Sequence, residues 1–91
     1  MIVVCTPTYN RRWAWNWSRM CMDMQDQQPD LWIVVDNSDD PVLDWSVSRV
    51  HPKVQYHQVH EKESIGKLRN RCLDLALAAG ADYIVFWDDD D

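Results

Sequence analysis

Glycine is scarce in this sequence, since Gly66 and Gly80 are the only two among 91 residues. Neither glycine lies directly after the first apolar segment of the chain, Ile2 to Thr6. A module that binds dinucleotides needs a glycine-rich turn directly after its first strand, because the backbone there must approach the pyrophosphate closely. The positions of the glycines therefore argue against a dinucleotide-dependent oxidoreductase.

Basic residues are also in the minority. The sequence has nine Lys and Arg against 15 Asp and Glu, and its formal net charge is −6. Proteins that bind nucleic acid through its phosphates carry clustered Lys and Arg, so the sequence predicts no nucleic-acid partner. An anionic ligand would need a local basic site or a bound cation.

Three further features are missing: cysteines with zinc-site spacing, a long apolar run, and a basic N-terminal segment followed by an apolar one. Cys5, Cys21 and Cys72 form no CxxC pair and cannot all pair within the chain, so we predict reduced thiols in the core. The apolar runs are far shorter than the ~18 to 20 residues of a membrane span. We expect an unprocessed cytoplasmic protein without a membrane span.

The apolar residues are arranged as in one small domain that covers residues 1–91. Short runs rich in β-branched and aromatic residues predict four strands, of which the third is the weakest: residues 2–6, 31–35, 53–59 and 83–87. Helical spacing of apolar residues predicts helices over 12–27 and 64–79, the latter with Ser64 as N-cap and Gly80 as its stop.

The first predicted helix carries large apolar residues on two sides. The side predicted to face the core follows the helical period and consists of Trp13, Trp17, Met20, Cys21 and Met24. Trp15 and Met22 project from the opposite side. We expect these two to mark a surface through which the chain self-associates into a homo-oligomer.

This order of elements predicts an α/β fold whose strands are mostly parallel and buried. The segments PTYNRR, DNSDD and DDDD each follow a predicted strand. Ligands of open α/β sheets bind beyond the carboxyl ends of the strands, so we expect the three polar segments to converge on one crevice. The first turn of the second helix, with Lys67, would add positive potential there.

The terminal acidic segment, Asp88 to Asp91, directly follows the last predicted strand. Asp88 and Asp90 lie on one side of an extended segment, and carboxylate oxygens suit Mg²⁺ or Mn²⁺. A solvated acidic tail is the alternative. The strand directly in front and the other polar strand ends favour a metal site.

Four segments in this order resemble the family 2 glycosyltransferases of the GT-A fold, which transfer a sugar from a nucleotide-sugar donor. They are IVVCTPTYNR at 2–11, WIVVDNSDD at 32–40, SIGKLRNRCLDLALAAGADYIVFW at 64–87, and DDDD at 88–91, which resembles the family's DxD motif. The resemblance implies GT-A-like, Rossmann-like α/β/α layers, cut short after the DxD strand. It identifies residues 1–91 as the N-terminal, nucleotide-sugar-binding part of such a domain.

The resemblance also implies how the nucleotide is bound. Pro7, Thr8 and Tyr9 would line the base pocket, with Tyr9 against the ring. Asp36 would hydrogen-bond the base, and Lys67 matches a basic residue near it. The donor that these residues would take is a UDP-sugar.

At the DxD motif, the resemblance implies that Asp88 or Asp89 contacts the ribose and that Asp90, with Asp88, binds the Mn²⁺ or Mg²⁺ that bridges the diphosphate. The register within four identical residues stays open by one position. The acceptor and the general base belong to the later half of the family's domain, so neither can be assigned in this chain. We therefore expect a fragment or a naturally short half-domain.

Two functions remain open at this point. One is a glycosyltransferase that moves the sugar of a UDP-sugar to an unknown acceptor. The other is a non-catalytic nucleotide-binding or assembly module, which needs every feature named above and none of the missing ones. A receiver-like signalling domain shares the parallel sheet, but the quoted segments and their order fit it less well.

Overall fold

The computed structural model describes residues 1–9, 20–39 and 53–87. They form a small α/β domain with a four-stranded, all-parallel sheet in the order β3-β2-β1-β4. The elements are β1 (Ile2–Thr8), β2 (Leu31–Asp36), β3 (Val54–Gln58), α1 (Ile65–Ala78) and β4 (Tyr83–Phe86). The predicted α/β class, the parallel pairing and the third strand are confirmed, and the sheet is consistent with a Rossmann-like layout.

β1 lies inside the sheet and extends two residues beyond the predicted strand, through Pro7 to Thr8. A proline is tolerated there because β4 has already ended beside it. The backbone carbonyl of Cys5 accepts a hydrogen bond from the backbone N–H of Trp87 at 2.9 Å, so the backbone polar groups of Cys5 face β4. Pro7, two residues on, faces the same side, where the pairing with β4 stops at Cys5, so its missing N–H costs no ladder bond.

One face of the sheet is covered by α1. Ser64 caps this helix by accepting a hydrogen bond from the Lys67 N–H at 3.3 Å, and Gly80 follows its end with a positive φ of 88°. Both predicted signals are confirmed. The buried side chains of this face form one cluster: Val3, Cys5, Ile33, Val35, Leu68, Cys72 and Ala76.

Two of the three cysteines meet in this cluster. The Cys5 thiol donates to the Cys72 carbonyl at 3.6 Å, and both residues are fully buried. The hydrogen bond to the Cys5 sulfur and burial raise the pKa of the Cys72 thiol above its usual range. All three cysteines are free, as predicted, although Cys21 is only half-buried.

The opposite face of the sheet is covered by a second cluster that contains Met22, Val4, Trp32 and Val34. The fully buried Trp32 indole donates to the Thr6 hydroxyl at 2.9 Å, so its N–H is satisfied inside the core.

The predicted orientation of the first helix is wrong in its described part. Met22, which we assigned to the outer surface, is only 1% exposed, whereas Met20 and Met24 are 50% and 79% exposed. Positions two residues apart are about 200° apart on a helix, so a sheet that covers Met22 cannot cover the other two. Met22 therefore cannot contribute to a self-association surface, and Trp15 lies outside the described residues.

This helix also ends earlier than predicted, since residues 20–23 are helical and residue 24 is a turn. The side-chain amide of Gln28 donates to the carbonyls of Met22 and Gln25, at 2.8 Å and 2.9 Å. The Met22 carbonyl also accepts from the Gln25 backbone N–H at 3.1 Å, so the Gln28 side chain adds to the hydrogen bonds that close this helix end. Residues 12–19 of the predicted helix lie outside the described part of the chain.

β4 is an edge strand within the described part of the chain, not the buried strand that its composition predicts. Tyr83, Val85 and Phe86 are 70%, 46% and 40% exposed. Only Ile84 packs against the cluster beneath α1. No helix within 1–9, 20–39 and 53–87 is long and apolar enough to cross a membrane, in agreement with the prediction.

Met22 offers a direct test of this packing. We expect Met22→Ala to lower the free energy of unfolding by about 2 to 4 kcal/mol, because it removes a fully buried side chain and leaves a cavity. Met24→Ala is the matched control and should change it by less than about 0.5 kcal/mol. Urea denaturation of both variants measures the difference, and equal effects would contradict the assignment of the two faces.

His57 on β3 gives a prediction about how stability depends on pH. Its Nε2 atom is buried and has no hydrogen-bond partner among the described residues, and burial lowers the pKa of the imidazole below 6.5. The unfolded chain therefore takes up this proton first, so the contribution of His57 is complete above pH ~6.5 and is lost as the pH falls below it. We expect the urea midpoint to decrease between about pH 7 and pH 5.5.

His57→Gln should reduce this decrease, because glutamine does not titrate. His60→Gln, at an exposed position just after β3, should leave it in place. A decrease of the same size in the His57 variant would show that other groups cause it.

Candidate functional site

The carboxyl ends of β1 and β2 bring together the residues predicted to bind the base. Thr8 and Asp36 are register partners, and the Asn37 N–H donates to the Thr8 carbonyl at 2.9 Å. Thr8 and Asp36 are 2% and 0% exposed, whereas Tyr9, the next residue, is 46% exposed. Pro7 is buried within β1. The sequence prediction that these residues share one edge of the sheet is confirmed; their role stays a prediction.

Asp36 is held by donors on both carboxylate oxygens. The Ser38 N–H donates to Oδ1 at 2.9 Å, and the Tyr56 hydroxyl on β3 donates to Oδ2. These two hydrogen bonds offset part of the cost of burying a carboxylate, and they fix the plane of the group.

Asn37 ties the end of β2 to the loop between β3 and α1. Its amide nitrogen donates to the carbonyls of Val59 at 3.0 Å and Glu61 at 2.8 Å, and its amide oxygen accepts from the Glu63 N–H at 3.0 Å. Asn37 is 2% exposed. One buried side chain therefore fixes the path of a loop without regular structure.

Lys62 lies in this loop and contacts Tyr9. Its ammonium nitrogen is 4.1 Å from the centre of the Tyr9 ring, 2.5 Å from an Asp39 carboxylate oxygen and 3.3 Å from the Asn37 carbonyl oxygen. The hydrogen bond to Asp39 is the main reason why the pKa of Lys62 lies above its ordinary value. A cation thus sits over the tyrosine predicted to stack on the base.

The structure does not place Lys67 in this cluster. Its backbone N–H donates to the Ser64 hydroxyl in the first turn of α1, and its side chain is exposed. The lysine that contacts the Tyr9 ring is Lys62. The role of Lys67 near the base stays a prediction.

The start of α1 is anchored by an ion pair between Arg71 and Glu63. The Arg71 Nε atom is 2.7 Å and 3.0 Å from the two Glu63 carboxylate oxygens, and the neighbouring Nη2 also donates to Glu63. Arg71 lowers the pKa of Glu63 through this hydrogen bond.

The predicted metal ligands Asp88 and Asp90, and the predicted ribose contact Asp89, lie outside the described residues. The described strand before them, β4, runs parallel to β1 and ends at Phe86. Arg69 of α1 lies 5.9 Å from the centre of the Phe86 ring. Within residues 1–9, 20–39 and 53–87, no three His, Cys, Asp or Glu side chains are grouped as a metal site would require.

Two cavities are lined by described residues, and the first of them includes Gln58 and Val59 at the carboxyl end of β3. One of about 280 Å³ is between β3 and α1, beside His57 and Leu75, and one of about 260 Å³ is beside Met22 and Val85. Tyr9 and Asp36 line neither of them.

Sequence reasoning missed Tyr56 and Lys62 and treated Asn37 only as part of a polar segment.

No family model matches the chain, and no curated protein matches its sequence.

Asn37 gives a prediction about the framework of the site. We expect Asn37→Ala to lower the free energy of unfolding by about 2 to 3 kcal/mol, because the three hydrogen bonds of a buried side chain are lost and the carbonyls of Val59 and Glu61 lose a donor. Asn37→Asp should cost at least as much, since a carboxylate cannot donate to the Val59 and Glu61 carbonyls.

Asn70→Ala on the exposed side of α1 is the matched control and should stay within about 0.5 kcal/mol of the parent. Urea denaturation measures all three variants. An Asn37→Asp variant as stable as the parent would show that the donor role of the amide is unimportant.

Proposed function

We propose that this chain binds a nucleoside diphosphate sugar, uridine-based, as the nucleotide-sugar-binding part of a GT-A-type glycosyltransferase domain of family 2. The observation that carries the proposal is the pairing of Thr8 with Asp36 at the ends of two parallel strands, next to the exposed Tyr9. The exposed Tyr9 ring supports the proposal because it offers a flat surface to the face of a pyrimidine base. The Asp36 carboxylate, which is fully buried, would contact the edge of the base only after it becomes accessible.

The sheet order supports this location of the ligand. In the sheet, β2 and β3 lie on one side of β1 and β4 lies on the other, so the strand order reverses between β1 and β4. Ligands of open α/β sheets bind outside the carboxyl ends at such a switch point. Tyr9 follows one of the two strands that flank this point, and the acidic segment 88–91 follows the other in sequence.

The diphosphate would bind with Mn²⁺ or Mg²⁺, held by Asp88 and Asp90 in the register that the resemblance implies. Hard carboxylate oxygens fit either ion. When bound, such an ion acts as a Lewis acid that stabilises the charge on the departing nucleoside diphosphate. Tyr9 would hold the base and Asp36 would orient it, which positions the sugar without a protein nucleophile.

Calorimetry with UDP tests the binding step. We expect binding in the presence of Mn²⁺ and much weaker binding without it. Tyr9→Ala should weaken UDP binding by about tenfold or more, because base-to-aromatic stacking contributes roughly 1 to 3 kcal/mol. Asp90→Ala should remove the dependence on Mn²⁺.

Matched controls separate these effects from general damage. Tyr83→Ala removes an aromatic ring that is 70% exposed on β4, and Asp74→Ala removes one carboxylate from the exposed side of α1. Both should bind UDP as the parent does. UDP binding that needs no cation, or that survives Tyr9→Ala unchanged, would contradict the proposed site.

Release of UDP from a panel of UDP-sugars then separates an enzyme from a non-catalytic nucleotide-binding module. Turnover supports the transferase, whereas tight binding without turnover supports the module.

A further inference from the structure

The cavity of about 280 Å³ between β3 and α1 has an apolar wall. Val35, Val59 and Leu75 line it, and all three belong to the cluster beneath α1 or pack against it. A cavity of roughly 150 Å³ holds benzene, so this one has room for a molecule of about ten non-hydrogen atoms. Its wall favours a molecule that is apolar over part of its surface.

His57 on β3 lines the same cavity and carries a buried nitrogen atom without a partner. Its Nε2 atom makes no hydrogen bond within residues 1–9, 20–39 and 53–87. Burial lowers the pKa of the imidazole below 6.5, so the ring is uncharged at neutral pH. When Nδ1 carries the proton, Nε2 is an acceptor, and a ligand that donates to it removes the cost of burying it unpaired.

Asp74 places a negative charge at the same cavity. This residue of α1 is exposed, and its carboxylate has no hydrogen bond or ion pair with the part of the chain that the structure describes. Arg71, three residues earlier on α1, also lines the cavity, but its guanidinium is paired with Glu63. The charge left for a ligand to neutralise is therefore negative.

We propose that this cavity binds a small organic ammonium ion whose N–H groups donate to the Asp74 carboxylate and to the Nε2 atom of His57. The apolar body of the ion would lie against Val59 and Leu75. An ammonium group has three donors and no acceptor, so it can serve both protein acceptors. An alcohol of the same size has one donor, and a carboxylate would bring a second negative charge next to Asp74.

The cavity and the proposed base site lie on different faces of the sheet. Val35 and Asp36 are neighbours on β2, so their side chains point to opposite faces. Val35 belongs to the cluster beneath α1, whereas Tyr56, the partner of Asp36, packs against the cluster on the other face. Binding of an ammonium ion therefore goes beyond the proposed function and can be tested without a nucleotide.

Three probes of nearly equal size test the charge preference: 2-phenylethylamine, 2-phenylethanol and phenylacetate. Each is titrated into the full chain at about pH 7.5, where His57 is uncharged, and binding is followed by NMR. We expect the amine to shift the ring signals of His57 and the amide signals of Val59 and Leu75. The alcohol should bind at least about tenfold more weakly, as expected for the loss of a charged hydrogen bond, and the acid should bind more weakly still.

Substitutions then test the two acceptors. Asp74→Asn keeps the size of the side chain and should lower the affinity for the amine by about tenfold while leaving that for the alcohol within about twofold. His57→Phe keeps a planar ring without the nitrogen acceptor and should also weaken amine binding. Asp23→Asn, at an exposed carboxylate outside the cavity, is the matched control and should bind the amine as the parent does. The amide spectrum of each variant shows that it is folded.

Several results would overturn the inference. Equal affinities for the amine and the alcohol would show that charge is unimportant. Unchanged amine binding in Asp74→Asn would remove the role of the carboxylate, and signal shifts confined to residues outside the cavity would place the amine elsewhere. If none of the probes binds at about 10 mM, the cavity is not a site for such ligands.

Discussion

Parallel pairing between β1 and β2 is the constraint on which the rest of the structure depends. It runs from Val3 opposite Leu31 to Thr8 opposite Asp36, so the two strands end level with each other. Neighbouring strands of a parallel sheet run in one direction, and the side chains that follow them therefore meet at a single edge. Any change of register by one residue would turn Asp36 to the other face of the sheet, away from Tyr56.

This edge stays stable because its buried polar groups have partners. Asp36 takes donors from Tyr56 and Ser38, and Asn37 satisfies three backbone groups of the loop before α1. Each of these groups would cost roughly 1 to 3 kcal/mol if it were buried without a partner. The hydrogen bonds that hold the loop also hold Lys62 over Tyr9, so the stability of the fold and the shape of the candidate site depend on the same contacts.

The sequence predicts those elements whose signals are local. Ser64 and Gly80 mark the ends of α1 through capping chemistry, and β-branched runs mark the strands. The orientation of Met22 could not be predicted in the same way. Apolar residues lie on both sides of that segment, and helical spacing alone does not show which side a sheet will cover.

The residues of the candidate site show the same difference between local signals and contacts that depend on the whole fold. Thr8, Tyr9 and Asp36 could be predicted because they follow recognisable strands, and a parallel sheet brings strand ends together. The contact of Tyr56 with Asp36 depends on the register of β2 and β3, and the contact of Lys62 with Tyr9 depends on the path of a loop. Neither register nor loop path is encoded in a local pattern, so these two residues became visible only in three dimensions.

Charge explains why the proposed ligand needs a cation. The described strand ends carry the carboxylates of Asp36 and Asp39 against the single ammonium of Lys62, which is already paired with Asp39. A diphosphate would be repelled by this set, and further carboxylates at 88–91 would increase the repulsion. A divalent ion reverses the balance, because it attracts the carboxylates and the diphosphate at once. The charges of the described strand ends therefore support the cation dependence of the proposal.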